Sequence, residues 1–146
     1  MIYLSGPMSG VPEYNFPAFH AATKLLRRRG FSVTSPAELD EVGELSGIEL
    51  GSQSWEWYLS RDLREMLRCD TVAVLPGWRK SRGARLEVYV ARRLGMKVVS
   101  AGTLKRVRTM REFLRDCVAI VGVTILMGLD TVSGAWRRSR GTNGKG

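Results

Sequence analysis

Histidine and cysteine are scarce in this 146-residue chain, which holds one of the first and two of the second. A zinc site needs a set of such ligands at close spacing, and no close Cys or His pair is present, so no metal is expected. Cys69 and Cys117 lie far apart beside apolar runs. That is the pattern of buried free thiols in a reducing, cytoplasmic setting, not of a disulfide framework. A G-x-G-x-x-G fingerprint, a nucleic-acid-binding motif, internal repeats and low-complexity stretches are missing as well. No cofactor is expected. The chain opens straight into the strand pattern MIYLSG, with no charged segment and apolar stretch before it, so no secretory signal is read.

Positive charge is what the chain has in excess: 23 Lys and Arg against 14 Asp and Glu, a net +9. Such a balance points to a polyanion, a membrane surface or a phosphorylated ligand. The basic residues are spread through Arg27 to Arg29, Arg79 to Arg85, Arg92 to Arg93, Lys105 to Arg115 and Arg137 to Arg140. Scattered in that way they disfavour nucleic acid as the partner. The length and the 44% hydrophobic content fit one globular domain with a real core.

Residues 2–5 read as a short strand ending at Gly6-Pro7, and a loop with Ser9, Gly10 and Pro12 leads to Asn15, read as the cap of a helix over 16–29. Arg27 to Arg29 load that helix's carboxyl end and Gly30 closes it. A strand is expected at 31–34. Residues 37–53 mix acids and glycines without a firm period and read as an active-site loop. Ser54 caps a helix over 55–68 with a stripe of Trp55, Leu59, Leu63, Met66 and Leu67. A buried strand at 71–75, a helix at 84–94 and a strand at 97–100 complete the order β α β α β α β. That order is the doubly wound, Rossmann-like or flavodoxin-like α/β pattern with a parallel sheet. Domain bounds are read as 1–103 for the α/β domain, 104–136 for a basic then apolar extension, and 137–146 for a disordered tail. Residues 104–117 read as a basic amphipathic helix. Residues 118–129 carry no charge, and the run to Trp136 is interrupted only by Asp130. A buried helix or subunit-interface element, a membrane-associated segment and an added strand all remain open for it.

In open α/β sheets, ligands collect beyond the carboxyl ends of the strands. Tyr3, Gly6 and Gly10 lie at or after the first strand: glycines admit a ligand to the backbone and a phenol can donate to it, although a tight turn and a core tyrosine explain them equally. Asp62 falls on the apolar side of its helix, where an ionised carboxylate is costly unless paired or used; an ion pair with Arg61, Arg64 or Arg85 is the plainer account. Asp70 reads as a turn or capping residue. Ser81, Gly83 and Glu87 follow the third strand. Glu87 is placed in the first turn of its helix, where the dipole keeps a carboxylate ionised and nucleophilic, though it could be a simple helix-start acid.

IYLSGPMSG, RDLREMLRCDTVAVL and SRGARLEVYVARRLG together resemble the nucleoside 2-deoxyribosyltransferase-like superfamily, which includes the 2′-deoxynucleoside 5′-phosphate N-hydrolases, and within it the domain-of-unknown-function 4406 branch. The resemblance covers residues 1 to about 100. It implies that Tyr3 helps to hold the catalytic carboxylate, that Asp62, eight residues before Asp70, assists departure of the base, and that Glu87, six residues after the sugar-contacting Ser81, is the nucleophile. The implied reaction is attack of Glu87 on C1′ of a deoxyribonucleoside or its 5′-phosphate, then transfer to water or another base. Homo-oligomers whose subunits complete one another's sites are also implied. One departure stands out: Pro7 follows Gly6 where the monophosphate hydrolases have a phosphate-binding serine. Ser5, Ser9, Arg82 or Arg85 are left to substitute, with the 5′-phosphate requirement open. Trp55 and Trp57 are placed to stack on a base. A nucleotide-binding module without turnover, held at a membrane through residues 118–136, is the alternative.

Overall fold

The strands alternate apolar side chains to both faces, which commits them to a sheet covered on each side. In the computed structural model, which describes residues 1–109, they pair into one all-parallel four-stranded sheet. The strands are β1 (Ile2–Ser5), β2 (Val33–Thr34), β3 (Thr71–Val74) and β4 (Lys97–Ser100), in the spatial order β2-β1-β3-β4. The helices are α1 (Phe16–Arg28), α2 (Pro36–Leu45), α3 (Trp55–Met66) and α4 (Arg82–Arg93).

Side chains two apart on a strand share a face. Ile2 and Leu4 pack with Phe19, Ala22 and Leu26 of α1 and Ala37 of α2 on one side of the sheet. Tyr3, Val72 and Val74 pack with Met66 at the end of α3 and with Val88 and Ala91 of α4 on the other. Two cores on two faces make the fold doubly wound, as the element order predicts. The strand order changes direction between β1 and β3, so the crevice beyond Ser5 and Val74 is the topological switch point of the sheet.

Several local expectations change. Residues 37–45, part of the stretch 37–53 expected as loop, belong to α2: Pro36 sits at its start, and buried Pro36, Ala37 and Asp40 hold it against its neighbours. Gly43 and the acids of α2 hide the period, and its exposed Val42 and Leu45 blur it further. Asn15 stands at the N-cap position of α1, but its side chain makes no capping hydrogen bond. It is left-handed at φ 62°, as are Glu13 and Tyr14 before it, and its Nδ2 donates to the Pro7 carbonyl at 2.9 Å. Phe31 and Ser32 stay outside β2. Leu67 lies past the end of α3 with its side chain exposed, outside the buried stripe. The Ser54 cap is observed, its Oγ accepting from Trp57 N.

Residues 104–109 are not helical; Arg106 forms an antiparallel bridge with Val99, and Ser100 N donates to the Lys105 carbonyl at 2.9 Å. The strand edge needs these partners, and Met1–Val107 accordingly form one compact unit. Cys69 is a buried free thiol. Among the described residues no helix is long and apolar enough to cross a membrane. Cys117, the uncharged run 118–129 and the tail 137–146 lie outside the described residues.

Candidate active site

Glu87 is the sixth residue of α4, which begins at Arg82, so it sits in the second turn and not in the first. The helix dipole therefore is not what governs it. Because Tyr3 and Ser5 are two apart on β1, both project onto the face that α4 covers. Tyr3 Oη donates to Glu87 Oε1 at 3.0 Å and Ser5 Oγ donates to Oε2 at 2.6 Å. Each carboxylate oxygen thus has its own hydroxyl donor, and the group is fixed in plane and rotation.

Glu87 is only 6% exposed and Tyr3 fully buried. Burial pushes the Glu87 carboxyl from its ordinary 4.5 up to about 7. The Ser5 hydrogen bond opposes that rise, the charge of Asp62 adds to it, and the Tyr3 hydrogen bond opposes it. The expectation that the helix dipole keeps Glu87 ionised is thus corrected: desolvation outweighs the two donors. Burial likewise lifts the Tyr3 phenol well above its ordinary 10, helped by Glu87 and Asp62, so it remains a donor.

Asp62 is paired with its neighbour Arg61, the first of the three arginines weighed for it. Nη2 and Nε of Arg61 both reach Asp62 Oδ1, at 2.7 and 3.0 Å, while Nη1 reaches Oδ1 of Asp40 on α2 at 2.7 Å. The guanidinium lies 5.7 and 5.3 Å from the ring centroids of Trp57 and Tyr58. Burial raises Asp62 to about 6, with the charge and hydrogen bonds of Arg61 pulling the other way and Asp40 adding to the rise. Asp40 is raised too, by burial against the same Arg61.

These groups face a cavity of about 540 Å³, lined by Asp40, Arg61, Asp62 and Glu87 together with Lys80, Ser81, Arg82 and Gly83. Ser81 caps α4, its Oγ accepting from Ala84 N at 3.3 Å. The Arg82 guanidinium stacks 4.0 Å from the Trp55 ring centroid. Gly6 lines the cavity where the chain leaves β1, and a Cβ there would stand 2.9 Å from Leu75 Cβ and Cδ1, so only glycine fits. Ser9 lines the cavity as well.

The structure therefore gathers Glu87, Asp62, Gly6, Ser9, Ser81, Arg82 and Gly83 around one space, with Tyr3 behind Glu87. Gly10 is not among the lining residues; its φ of +76° marks a turn, the plainer of its two readings. Trp55 lines the cavity and Trp57 does not. Asp70 accepts from the Thr71 hydroxyl at 2.6 Å and pairs with the Met1 amine, a local role outside the cavity. Ser5, weighed from the sequence as a phosphate-binding substitute, instead donates to Glu87 and does not line the cavity, and Asp40 enters the site unannounced by the motif spacing. The signal for Ser5 was its place two residues after Tyr3. Among the described residues no group of three or more His, Cys, Asp and Glu side chains could hold a metal ion.

Fold and site define an α/β protein of doubly wound type with a buried, doubly hydrogen-bonded carboxylate at its switch point. The chain belongs to the family described as a domain of unknown function, DUF4406, whose sequence profile matches residues 1–100, from β1 through β4. No curated protein matches it.

Proposed function

We propose that the chain is an N-glycosidase or 2-deoxyribosyltransferase that cleaves the N-glycosidic bond of a (deoxy)nucleoside or its 5′-phosphate through a covalent glycosyl-Glu87 intermediate. The observation that carries this reading is the clamp on Glu87, with one hydroxyl donor per carboxylate oxygen, at the carboxyl end of the central strands. Carboxylates serve at sugar carbons because they stabilise an oxocarbenium-like transition state and then bond to it. The likeness of the three sequence stretches to the deoxyribosyltransferase-like superfamily supports the same chemistry.

In the first step an ionised Glu87 oxygen bonds to C1′ as the C1′–N bond breaks, and the electron pair leaves on the base. Asp62 in its protonated form supplies the proton the departing base takes up. In the second step water or another base attacks C1′, Glu87 is released, and the proton of the incoming group returns to Asp62. Tyr3 and Ser5 hold the nucleophile throughout. Lys80 and Arg82, which also line the cavity, provide positive charge for a 5′-phosphate, in a cavity whose first loop has Pro7 in place of a serine.

A second reading has a specific observation in its favour. A Glu87 raised to about 7 is largely protonated below that pH, and a protonated carboxyl hydrogen-bonds a ligand without attacking it. The protein is then a nucleotide-binding module. Incubation with a panel of deoxyribonucleosides and their 5′-monophosphates, with free base followed by chromatography, separates the two. The enzyme reading expects base release from the parent and none from Glu87→Ala. Release from neither, or equal release from both, refutes the Glu87 mechanism.

A further inference from the structure

Glycosyl transfer by this site needs a proton on Asp62 and none on Glu87. The contacts in the structure favour the opposite arrangement: Asp62 is paired with a guanidinium, whereas the more deeply buried Glu87 has only the neutral hydroxyls of Tyr3 and Ser5. The difference traces to one side chain. Among the described residues, Arg61 contributes the only positive charge and the only hydrogen bonds that hold Asp62 ionised against its burial. An ionised Asp62 in turn disfavours charge on Glu87.

The geometry is that of a fixed fork. Two nitrogens of Arg61 converge on Asp62 Oδ1, the third nitrogen is tied to buried Asp40, and the Trp57 and Tyr58 rings flank the guanidinium. With Oδ1 tied back in this way, Oδ2 of Asp62 has no hydrogen bond among the described residues, in a carboxylate that lines the cavity. Arginine suits this place because its planar fork reaches two carboxylates at once, which an ammonium point charge does not do with the same fixed orientation.

We propose that Arg61 is a positioning residue that decides which of the two cavity carboxylates holds the shared proton. A ligand that loosens the Arg61–Asp62 contact moves the proton from the Glu87 carboxyl to the Asp62 carboxylate. One O–H bond breaks and another forms, with no other reactant. The nucleophile is thereby switched on only in the occupied site. The catalytic meaning of this transfer rests on the glycosyl-transfer reading; the proton assignment itself does not.

The groups that face Asp62 are Arg61 on its own helix, Asp40 on α2 with Glu41 and Glu44 beside it, Glu87 on α4 and Tyr3 on β1, with Lys80 and Arg82 lining the same cavity. Among them Arg61 alone touches Asp62 with positive charge.

The test is a carbon-13 NMR titration of the Asp62 and Glu87 side-chain carboxyls in the full chain, assigned with Asp62→Asn and Glu87→Gln. In the parent, Asp62 loses its proton at the lower pH. In Arg61→Gln its midpoint rises by about one pH unit or more, the usual worth of a contacting opposite charge, and the order of the two groups reverses. In Asp40→Asn the guanidinium serves Asp62 alone and a like charge is gone, so the Asp62 midpoint falls. Arg61→Lys lies between parent and Arg61→Gln. A folded Arg61→Gln with midpoints and order unchanged overturns the proposal. Should Arg61→Gln not fold, an Asp62 midpoint unmoved in both Asp40→Asn and Arg61→Lys overturns it equally. Absence of base release from the parent would refute the glycosidase reading and leave this titration decisive for Arg61.

Discussion

Replacing Glu87 by glutamine should make the protein more stable at pH 8 and hardly change it near pH 4.5, because the parent carries a buried carboxyl that is costly to ionise. The folded state holds the Glu87 proton up to about 7, whereas an ordinary glutamate lets it go at 4.5. Below 4.5 both states are protonated and nothing is lost. As pH rises from there, the unfolded chain sheds its proton first, so stability falls, and the loss is complete once the folded carboxyl has ionised above 7. At about 1.4 kcal/mol per tenfold change, that interval corresponds to about 3 kcal/mol. Asp62, raised from 3.8 to about 6, loses stability in the same direction, but it is present in both proteins and cancels in their difference. Glutamine has no charge to desolvate, and it pays only for turning one of the Tyr3 and Ser5 hydroxyls from donor to acceptor, about 1 kcal/mol. Urea unfolding of both proteins at pH 4.5 and pH 8 measures the double difference. The stability of Glu87→Gln relative to the parent should rise by about 3 kcal/mol between the two conditions, on the order of 10 °C in melting temperature. A relative stability that stays constant with pH, or falls, refutes the claim that this carboxylate is held against its own desolvation.

Three further outcomes follow from named contacts. Tyr3→Phe and Ser5→Ala each remove one donor from Glu87, so each should raise its titration midpoint and slow base release about ten- to hundredfold, the worth of a hydrogen bond to a charged group; a pH–rate profile reads both effects together. Gly6→Ala should destabilise the fold by about 1–3 kcal/mol, since the added methyl must displace Leu75, and an unchanged denaturation midpoint would contradict that packing. A chain ended after Val107 should keep its cooperative melt whereas one ended after Thr103 should not, because Lys105 and Arg106 partner the β4 edge; comparing the elution mass of the first with that of the full chain tests the proposed homo-oligomer.

The alternation of helix and strand patterns, Gly30 after α1 and Gly95 after α4, the Ser54 cap and the apolar β3 run determine the parallel α/β class from sequence alone, because they depend on periodicity and on backbone conformations that few residues can adopt. So does the placing of Ser81 and Glu87 just after β3, where such sheets collect ligands. The tertiary structure alone decided the rest. α2 is held by burial of Asp40 and Ala37 and by the bidentate Arg27–Glu38 pair at 2.7 and 2.8 Å, contacts that link residues eleven apart and leave no local period. Ser5 became a ligand of Glu87 only when α4 crossed β1, eighty-two residues away in the chain. Charge state was the least legible property. Glu87 looked like an ionised helix-start acid, yet depth of burial, a property of the assembled fold, moved it to about 7.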